Sequence, residues 1–245
     1  MKSRIKKDSW ILTRPIAHRG LHGDGIPENS IAAYKAAIAA GYPIEMDVQL
    51  TSDGILACFH DDDLKRMTGV DALVWNKTMD ELREMKLGGT EERIMTFEEF
   101  LSLVGGKVPL MIEVKTQKKY KKRYIEIAEK TVTALKDYKG EYAVQSFDPR
   151  IMGEIKKLAP EILRGQLIAG NRYDNVSRPV YLILKNGLMN FKSSPDFINM
   201  EKEFLPVKKR VRGGADVICW TVRTQEEKRA VEEFGVNYIF EKIRV

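Results

Sequence analysis

The sequence predicts an α/β protein of the (β/α)8-barrel class. Short apolar segments alternate with helical segments along most of the chain, and eight of the apolar segments qualify as parallel strands. A chain of 245 residues is long enough for one such barrel, and no repeat, low-complexity tract or linker indicates a second domain. We therefore expect one domain over residues 1–245, with a small insertion after the second strand at about residues 61–95.

The first unit of the chain has the order strand, helix, strand. Residues 15–17 form a short apolar run that ends in His18 and Arg19, which is typical of a buried strand with polar side chains at its C-terminal end. Ser30 is a predicted N-cap for a helix over residues 31–40, which Gly41 ends. The next strand follows at once, so the sheet is expected to be parallel.

The second strand carries two carboxylates and leads into a hairpin. Glu45 and Asp47 lie two residues apart and therefore point to the same face. Two adjacent carboxylates repel each other, and a hard divalent cation such as Mg²⁺ or Ca²⁺ relieves that repulsion. Asp53-Gly54 is a hairpin signal, and a two-residue turn there predicts that His60 lies opposite Asp47.

The alternation resumes after an irregular polar segment that has one helical signal at residues 78–85. Thr96 and Gly105 bound a helix, the apolar run at 108–115 is a strand, and Asp148 and Thr224 are N-caps for later helices. The further expected elements are helices at 120–138, 149–158, 178–189, 201–211 and 225–234, and strands at 143–147, 164–168, 196–200, 216–222 and 236–241. The apolar stretch 180–189 is interpreted as an amphipathic barrel helix in preference to a membrane-docking surface.

A barrel of this kind places its active site at the C-terminal ends of the strands. Polar residues follow the first three strands of the main sheet, which would be neighbours. Glu113 can then complete a three-carboxylate cation site with Glu45 and Asp47, and Lys115 points to the same face as Glu113.

Composition gives only broad limits on function. The net charge of +6 fits nucleic acid, a membrane surface or a phosphate-bearing small substrate. Cys58 and Cys219 lack metal-ligand spacing and are predicted to be buried free thiols. Residues 1–14 lack the apolar core of a signal peptide, and no run approaches the ~20 apolar residues of a membrane span. We expect a cytoplasmic protein without stable membrane insertion.

The ordered motifs of the chain carry a family resemblance. The segments H-R-G, P-E-N-S, E-M-D-V, D-G-I-L-A-C-F-H-D, L-K-R-M-T-G, I-E-V-K, Q-S-F-D and W-T-V occur in this order over nearly the whole chain. Together they resemble the glycerophosphodiester phosphodiesterase family. The resemblance implies a TIM barrel that uses a divalent cation to hydrolyse small glycerophosphodiesters to glycerol 3-phosphate and an alcohol.

The resemblance also implies roles for individual residues. It assigns His18 and His60 as the acid/base pair and Glu45, Asp47 and Glu113 as ligands of Mg²⁺ or Ca²⁺. The candidates for contact with the substrate or its phosphate are Arg19, Lys115, Glu28, Asn29 and Trp220. For Glu28 and Asn29 a purely structural role in the loop is an equal alternative, and Trp220 is either core or a pocket wall.

The end of the chain departs from the pattern of the family. Many relatives read G-V-D-G-I-I-T-D where this chain reads G-V-N-Y-I-F-E-K. Asn237, Phe240 and Glu241 are therefore the residues whose contribution to the pocket the pattern leaves open.

Two other functions compete with hydrolysis of small diesters. A lysophospholipase D-type activity on lysophospholipids would require an apolar surface near the pocket. A catalytically silent barrel would serve as a basic binding module, for nucleic acid or another ligand. The second alternative is disfavoured because the motif residues expected for chemistry are present and no aromatic-basic nucleic-acid signature occurs. The headgroup, the oligomeric state and the attacking group, water or the glycerol 2-hydroxyl, stay open.

Overall fold

A closed barrel of eight parallel strands forms the centre of the protein. The computed structural model describes residues 3–117, 123–170 and 177–245. Each strand of the barrel pairs with the next along the chain, and the last pairs with the first, with Ile16 beside Ile239 and Ala17 beside Ile44. A ninth strand pairs antiparallel with the second and extends from the barrel. The predicted (β/α)8 barrel is confirmed.

The strands are short and most are buried along their whole length. Their bounds are β1 Ile16–Ala17, β2 Ile44–Leu50, β3 Leu56–Cys58, β4 Leu110–Val114, β5 Tyr142–Ser146, β6 Arg164–Ile168, β7 Phe197–Glu201, β8 Asp216–Val222 and β9 Asn237–Phe240.

Helices occupy the connections between the strands. The α-helices are α1 Trp10–Thr13, α2 Ile31–Ala40, α3 Lys65–Thr68, α4 Met79–Arg83, α5 Phe97–Val104, α6 Arg123–Leu135, α7 Pro149–Leu158, α8 Arg178–Lys185, α9 Asn190–Ser193, α10 Lys209–Arg212 and α11 Gln225–Glu232. Two 3₁₀ helices lie at Val74–Asn76 and Lys202–Phe204. None of these helices in the described ranges is long and apolar enough to cross a membrane.

The predicted caps account for where several helices begin. The side chains of Ser30, Thr96, Asp148 and Thr224 each accept a hydrogen bond from a backbone N–H in the first turn. Thr96 also forms a reciprocal capping box with Glu99. Local sequence chemistry therefore fixes these boundaries.

Other predicted helices differ from the observed ones. The helix expected at 178–189 ends at Lys185, because Gly187 has a φ of 64° and breaks the helical path. The helix expected at 201–211 is two short pieces separated by Pro206. The helix expected at 225–234 ends at Glu232, and the expected start at residue 120 lies outside the described residues.

The hairpin after β2 has a different register from the predicted one. Val48 pairs with Cys58 and Leu50 with Leu56, so Phe59, not His60, lies opposite Asp47. The prediction of a two-residue turn was wrong because the Thr51 hydroxyl and amide both bond to Ile55 and close a longer loop. His60 lies beyond the end of β3, where its backbone carbonyl accepts from the Gln49 amide at 3.0 Å.

The interior of the barrel has an apolar floor below a polar upper layer. The floor consists of Ile16, Met111, Ala143, Phe197, Ile218 and Ile239, and α1 packs against it through Trp10 and Ile11. Gly165 is part of this arrangement, since a Cβ there would lie 2.2 Å from the Phe197 ring. The next inward positions along these strands are polar except for Trp220: they are His18, Glu113, Gln145, Asn199 and Glu241. Because side chains two residues apart on a strand point to the same face, the charged groups lie directly above the apolar floor.

The segment between β3 and α5 has a small core of its own. Phe59, Leu64, Val74, Leu82 and Ile94 are members of a buried cluster separate from the main core. This is the region of the predicted insertion, and it lies directly after the hairpin that carries His60. Elsewhere, Cys58 and Cys219 are buried free thiols, as predicted.

Asn237 lies at the beginning of β9, far from the strand end where the pocket was expected. Its buried amide donates to the backbone carbonyls of Ile11 and Arg14 at 2.9 and 2.6 Å. Asn237 therefore links the segment of α1 below the barrel floor to the last strand. The aspartate of the family pattern could not do this, because an ionised carboxylate has no hydrogen to donate.

Asn237→Asp is accordingly expected to destabilise the protein by about 2–4 kcal/mol, because two carbonyls lose their donor and face a buried carboxylate. Thermal unfolding should show a Tm lower by roughly 4–16 °C, at about 2–4 °C for each kcal/mol. Asn76→Asp, at an exposed position, is the matched control and should change stability by less than about 0.5 kcal/mol. An unchanged Tm for Asn237→Asp would contradict this role.

Candidate active site

Three buried carboxylates meet inside the barrel. Glu45 and Asp47 point inward from β2, and Glu113 lies beside Asp47 in the register of β4. One oxygen from each of the three lies within 4.8 Å of the others. The predicted convergence of these side chains is confirmed, and the set offers the oxygen ligands that Mg²⁺ and Ca²⁺ prefer.

The carboxylates strongly perturb one another. Burial, together with the negative charges of Asp47 and Glu113, raises the pKa of Glu45 well above its usual value. The pKa of Asp47 is lowered although burial opposes this, because Lys115, His60 and Arg19 supply positive charge around it. One oxygen of Asp47 is buried without a hydrogen-bond partner within the described residues. The cluster is therefore incomplete as an arrangement of protein groups alone.

Two cations adjoin the carboxylates. The Lys115 ammonium lies 2.8 Å from Glu113 and 3.5 Å from Asp47, and although burial opposes it, these neighbours raise its pKa. The Arg19 guanidinium lies 2.7 Å from Glu28 and 3.5 Å from Asp47. Both predicted phosphate contacts thus lie at the carboxylate cluster, and both are fully charged at neutral pH.

Asn29 and Glu28 hold other site residues in place. The Asn29 amide donates to Asp47 at 2.9 Å, and its carbonyl oxygen accepts from the Tyr34 hydroxyl at 2.8 Å. Glu28 bonds to Arg19 at 2.7 Å and to Arg66 at 2.6 Å. The structure places both in positioning contacts, and direct contact of either with a substrate stays a prediction.

His18 lies at the end of β1 with its two ring nitrogens in different surroundings. Nδ1 lies 2.7 Å from a carboxylate oxygen of Glu241, and Nε2 lies 4.0 Å from Glu45. A carboxylate can only accept, so Nδ1 carries the proton and the Nε2 lone pair faces the cluster. Burial lowers the pKa of His18 to about 4, against the opposing effect of Glu241. The ring is therefore neutral at pH 7.

His60 has a parallel arrangement on the hairpin side. Its Nδ1 lies 2.6 Å from Asp61, which in turn accepts from Arg66 at 2.6 Å. His60 is close enough to Asp47 to lower the pKa of that carboxyl. Despite the error in the predicted register, the imidazole therefore lies within electrostatic range of Asp47.

Glu241 is the site residue that the sequence left unassigned. Besides His18, it lies 3.4 Å from His22 Nε2 and accepts from Arg223 at 2.6 Å. Although burial opposes it, these three partners lower the pKa of Glu241. His22 thus joins this network. Only the barrel closure brings residues 18 and 241 together, so no local pattern identifies the pair.

Neither Asn237 nor Phe240, the other two departures from the family pattern, lies at the carboxylate cluster. Phe240 is buried in the outer core, where its ring packs edge-on against Tyr42. Trp220 is half-buried, packs edge-on against Phe147 and donates to the Asn199 carbonyl at 3.3 Å. Trp220 thus lies at the polar upper end of β8, and its contact with a substrate stays a prediction.

The arrangement combines the groups that hydrolysis of an anionic ester requires. A cluster of oxygen ligands, two adjacent cations and two imidazoles with carboxylate-bound Nδ1 atoms occupy one end of the barrel. Cations stabilise charge that develops on phosphoryl oxygens, and neutral imidazoles transfer protons near neutral pH.

Comparison with known proteins gives consistent matches. Residues 18–241 match the model of the glycerophosphoryl diester phosphodiesterase family. A glycerophosphodiester phosphodiesterase of Caldanaerobacter subterraneus subsp. tengcongensis is 32% identical over 237 residues, which cover 93% of each chain. A phosphodiesterase of Oleispira antarctica, solved with the product sn-glycerol-3-phosphate, has a TM-score of 0.79 at 24% identity and covers 94% of this chain and 93% of its own. A glycerophosphodiester phosphodiesterase of Parabacteroides distasonis gives 0.75 at 23%, with 93% and 92% covered.

Proposed function

Because the chain belongs to the glycerophosphoryl diester phosphodiesterase family, we propose that it hydrolyses glycerophosphodiesters to glycerol 3-phosphate and an alcohol by histidine acid/base catalysis beside a divalent cation. One observation supports this most directly. His18 and His60 each have Nδ1 held by a carboxylate, and within the described residues neither Nε2 has a hydrogen-bond partner. Both rings are thus oriented for proton transfer at Nε2.

The carboxylate cluster fits a hard divalent cation. Glu45, Asp47 and Glu113 supply oxygen ligands within one another's reach, and one buried oxygen of Asp47 has no hydrogen-bond partner among the described residues. Repulsion among three carboxylates in a dry site is costly, and a bound Mg²⁺ or Ca²⁺ offsets it. When bound there, the cation would supply Lewis-acid stabilisation of the phosphoryl oxygens.

Arg19 and Lys115 would hold the phosphate beside these ligands. A phosphodiester is a poor electrophile because its negative charge repels nucleophiles, so its non-bridging oxygens must be neutralised. The Lys115 ammonium and the Arg19 guanidinium both lie 3.5 Å from Asp47. A substrate phosphate at the cluster would therefore lie beside two fixed positive charges, which also stabilise the charge that builds in the transition state.

The two histidines would divide the proton transfers. The attacking oxygen, of water or of the glycerol 2-hydroxyl, must lose a proton, and the leaving alkoxide must gain one. One ring, neutral with Nδ1–H bound to a carboxylate, would accept the proton of the attacking oxygen at Nε2, and the other ring, protonated at Nε2, would donate that proton to the leaving alkoxide. In each case the carboxylate at Nδ1 stabilises the imidazolium form. Glu241 and Asp61 would have this supporting role for His18 and His60.

The proposal is tested by the release of glycerol 3-phosphate from glycerophosphocholine and its ethanolamine, inositol and glycerol analogues, with lysophosphatidylcholine as a lipid comparison. We expect release from at least one soluble diester, loss of release with excess EDTA, and recovery on addition of Mg²⁺ or Ca²⁺. Full activity in EDTA would contradict the role of the cation. Hydrolysis of the lysolipid alone would favour the lysophospholipase D-type alternative.

A further inference from the structure

Helix α8 and the segment after it expose an unusual number of large hydrophobic side chains. Ten such side chains are exposed in the described part of the chain, and five of them lie within twelve residues of one another. These five are Val180, Leu182, Ile183, Leu188 and Phe191. The side chains of Leu188 and Phe191 are 61% and 68% exposed. A helix of the outer layer of a barrel ordinarily buries its apolar face, yet no residue of α8 is buried.

Helix α8 contacts the barrel through polar groups. The Tyr181 hydroxyl and the Lys185 ammonium both donate to the carbonyl of Gly170, just beyond the end of β6. Tyr181 and Lys185 are four residues apart and share one face of the helix. The Lys185 ammonium also lies 4.6 Å from the centre of the Phe204 ring. The helix is therefore inverted relative to an ordinary barrel helix, with polar groups inward and aliphatic groups outward.

Basic side chains surround the exposed apolar groups. Arg178 and Lys192 are exposed at either end of the segment, and residues 177–195 contain no aspartate or glutamate. Helix α10 is joined to the same surface, because Asn190 donates to the Val211 carbonyl and Arg210 donates to Asn186, both at 2.9 Å. This helix and its N-cap add four exposed cations: Lys208, Lys209, Arg210 and Arg212.

We propose that this surface, formed by the exposed residues of α8, α9 and α10, docks the enzyme on bilayers that contain anionic phospholipid. Exposed aliphatic and aromatic side chains with a basic border are the combination by which peripheral proteins bind such bilayers. The apolar groups enter the headgroup region, and the cations contact lipid phosphates. The inference concerns a surface outside the active site and does not depend on the proposed catalytic roles.

The charge distribution argues for a bilayer over other occupants. A second copy docked face to face would bring two basic borders together, and neither residues 177–195 nor α10 contains a carboxylate to pair with them. Nucleic acid would attract the cations but would leave Val180, Ile183, Leu188 and Phe191 in water. An anionic bilayer offers an apolar environment to the exposed hydrophobic side chains and phosphate groups to the basic border.

The test is co-sedimentation of the full chain with vesicles of phosphatidylcholine alone or mixed with phosphatidylglycerol. We expect binding to the mixed vesicles, weak binding to phosphatidylcholine alone, and release from the mixed vesicles at high salt. Phe191→Glu should weaken binding by about 10-fold or more, because it removes an apolar ring that would enter the headgroup region and adds repulsion from the anionic lipid. Val180→Glu should weaken it by a smaller factor, and Lys209→Glu with Arg210→Glu should remove the preference for anionic lipid.

Val70→Glu is the matched control for Val180→Glu, since Val70 is exposed on the segment after α3. It should bind vesicles like the unaltered chain. All surface variants should hydrolyse soluble glycerophosphodiester at the unaltered rate, which separates loss of docking from loss of the catalytic function. Equal binding by Phe191→Glu and the unaltered chain would overturn the proposal. So would a dimer in analytical ultracentrifugation that Phe191→Glu dissociates, since the occupant would then be a second copy.

Discussion

His18→Ala is expected to lower kcat for glycerophosphodiester hydrolysis by about 10²–10⁴-fold, the usual contribution of one proton transfer. The imidazole lies between Glu241 and Glu45, and its Nε2 is the atom that faces the carboxylate cluster. An alanine leaves the cation ligands in place, so KM should change much less than kcat. Steady-state kinetics with a soluble diester and saturating Mg²⁺ or Ca²⁺ would measure both.

Glu241→Thr is the informative companion, because threonine stands there in the family pattern. If Glu241 acts by orienting His18, Glu241→Thr should lose less activity than His18→Ala. Added to His18→Ala, it should cause no further loss of activity. The chain has three histidines, so ¹⁵N spectra can assign the His18 tautomer directly. We expect the Nδ1–H form in the unaltered enzyme and a mixture in Glu241→Thr. Near-normal turnover of His18→Ala would exclude it from the acid/base pair.

The fold was predictable because its signals are local. Ser30, Thr96, Asp148 and Thr224 each begin a helix by capping chemistry that the sequence displays. Strand and helix alternation then leaves few topologies, and eight parallel strands close as a barrel. The metal-ligand set was predictable for a similar reason, since residues two apart on a strand share a face and neighbouring strands align their ends.

The errors arose where tertiary contacts decide the outcome. The hairpin register depends on the longer loop that Thr51 closes through Ile55, and a count of residues from Asp53-Gly54 does not include that bond. The pairing of His18 with Glu241 spans 223 positions and exists only because β9 closes on β1. The period of α8 correctly indicated an amphipathic helix, but a period cannot tell which face meets the barrel.

Glu45→Gln is expected to remove activity and to stabilise the metal-free protein at the same time. Glu45 is buried beside Asp47 and Glu113, so its charge adds to a repulsion that a bound divalent cation relieves. A glutamine at this position removes one of the three charges. Its amide oxygen can still accept a hydrogen bond from the backbone N–H of Arg19, which donates to Glu45 at 3.0 Å, and its NH₂ group can donate to the remaining carboxylates.

In EDTA, Glu45→Gln should therefore have a higher Tm than the unaltered chain, by about 2–4 °C for each kcal/mol of relieved repulsion. Added Mg²⁺ or Ca²⁺ should reverse this order. A cation at 100 times its Kd stabilises the unaltered chain by about 2.7 kcal/mol, and a variant that binds weakly gains little. Turnover with saturating cation should fall by about 10²–10³-fold.

Glu129→Gln supplies the matched control, since Glu129 is exposed on α6 and its neutralisation should alter neither the Tm response to cation nor turnover. A lower Tm for Glu45→Gln in EDTA would show that the Glu45 charge stabilises the fold through Arg19 and other neighbours. A cation response equal to that of the unaltered chain would remove Glu45 from the ligand set. Opposite changes in stability and turnover, by contrast, are the signature of a charge kept for chemistry at the expense of folding.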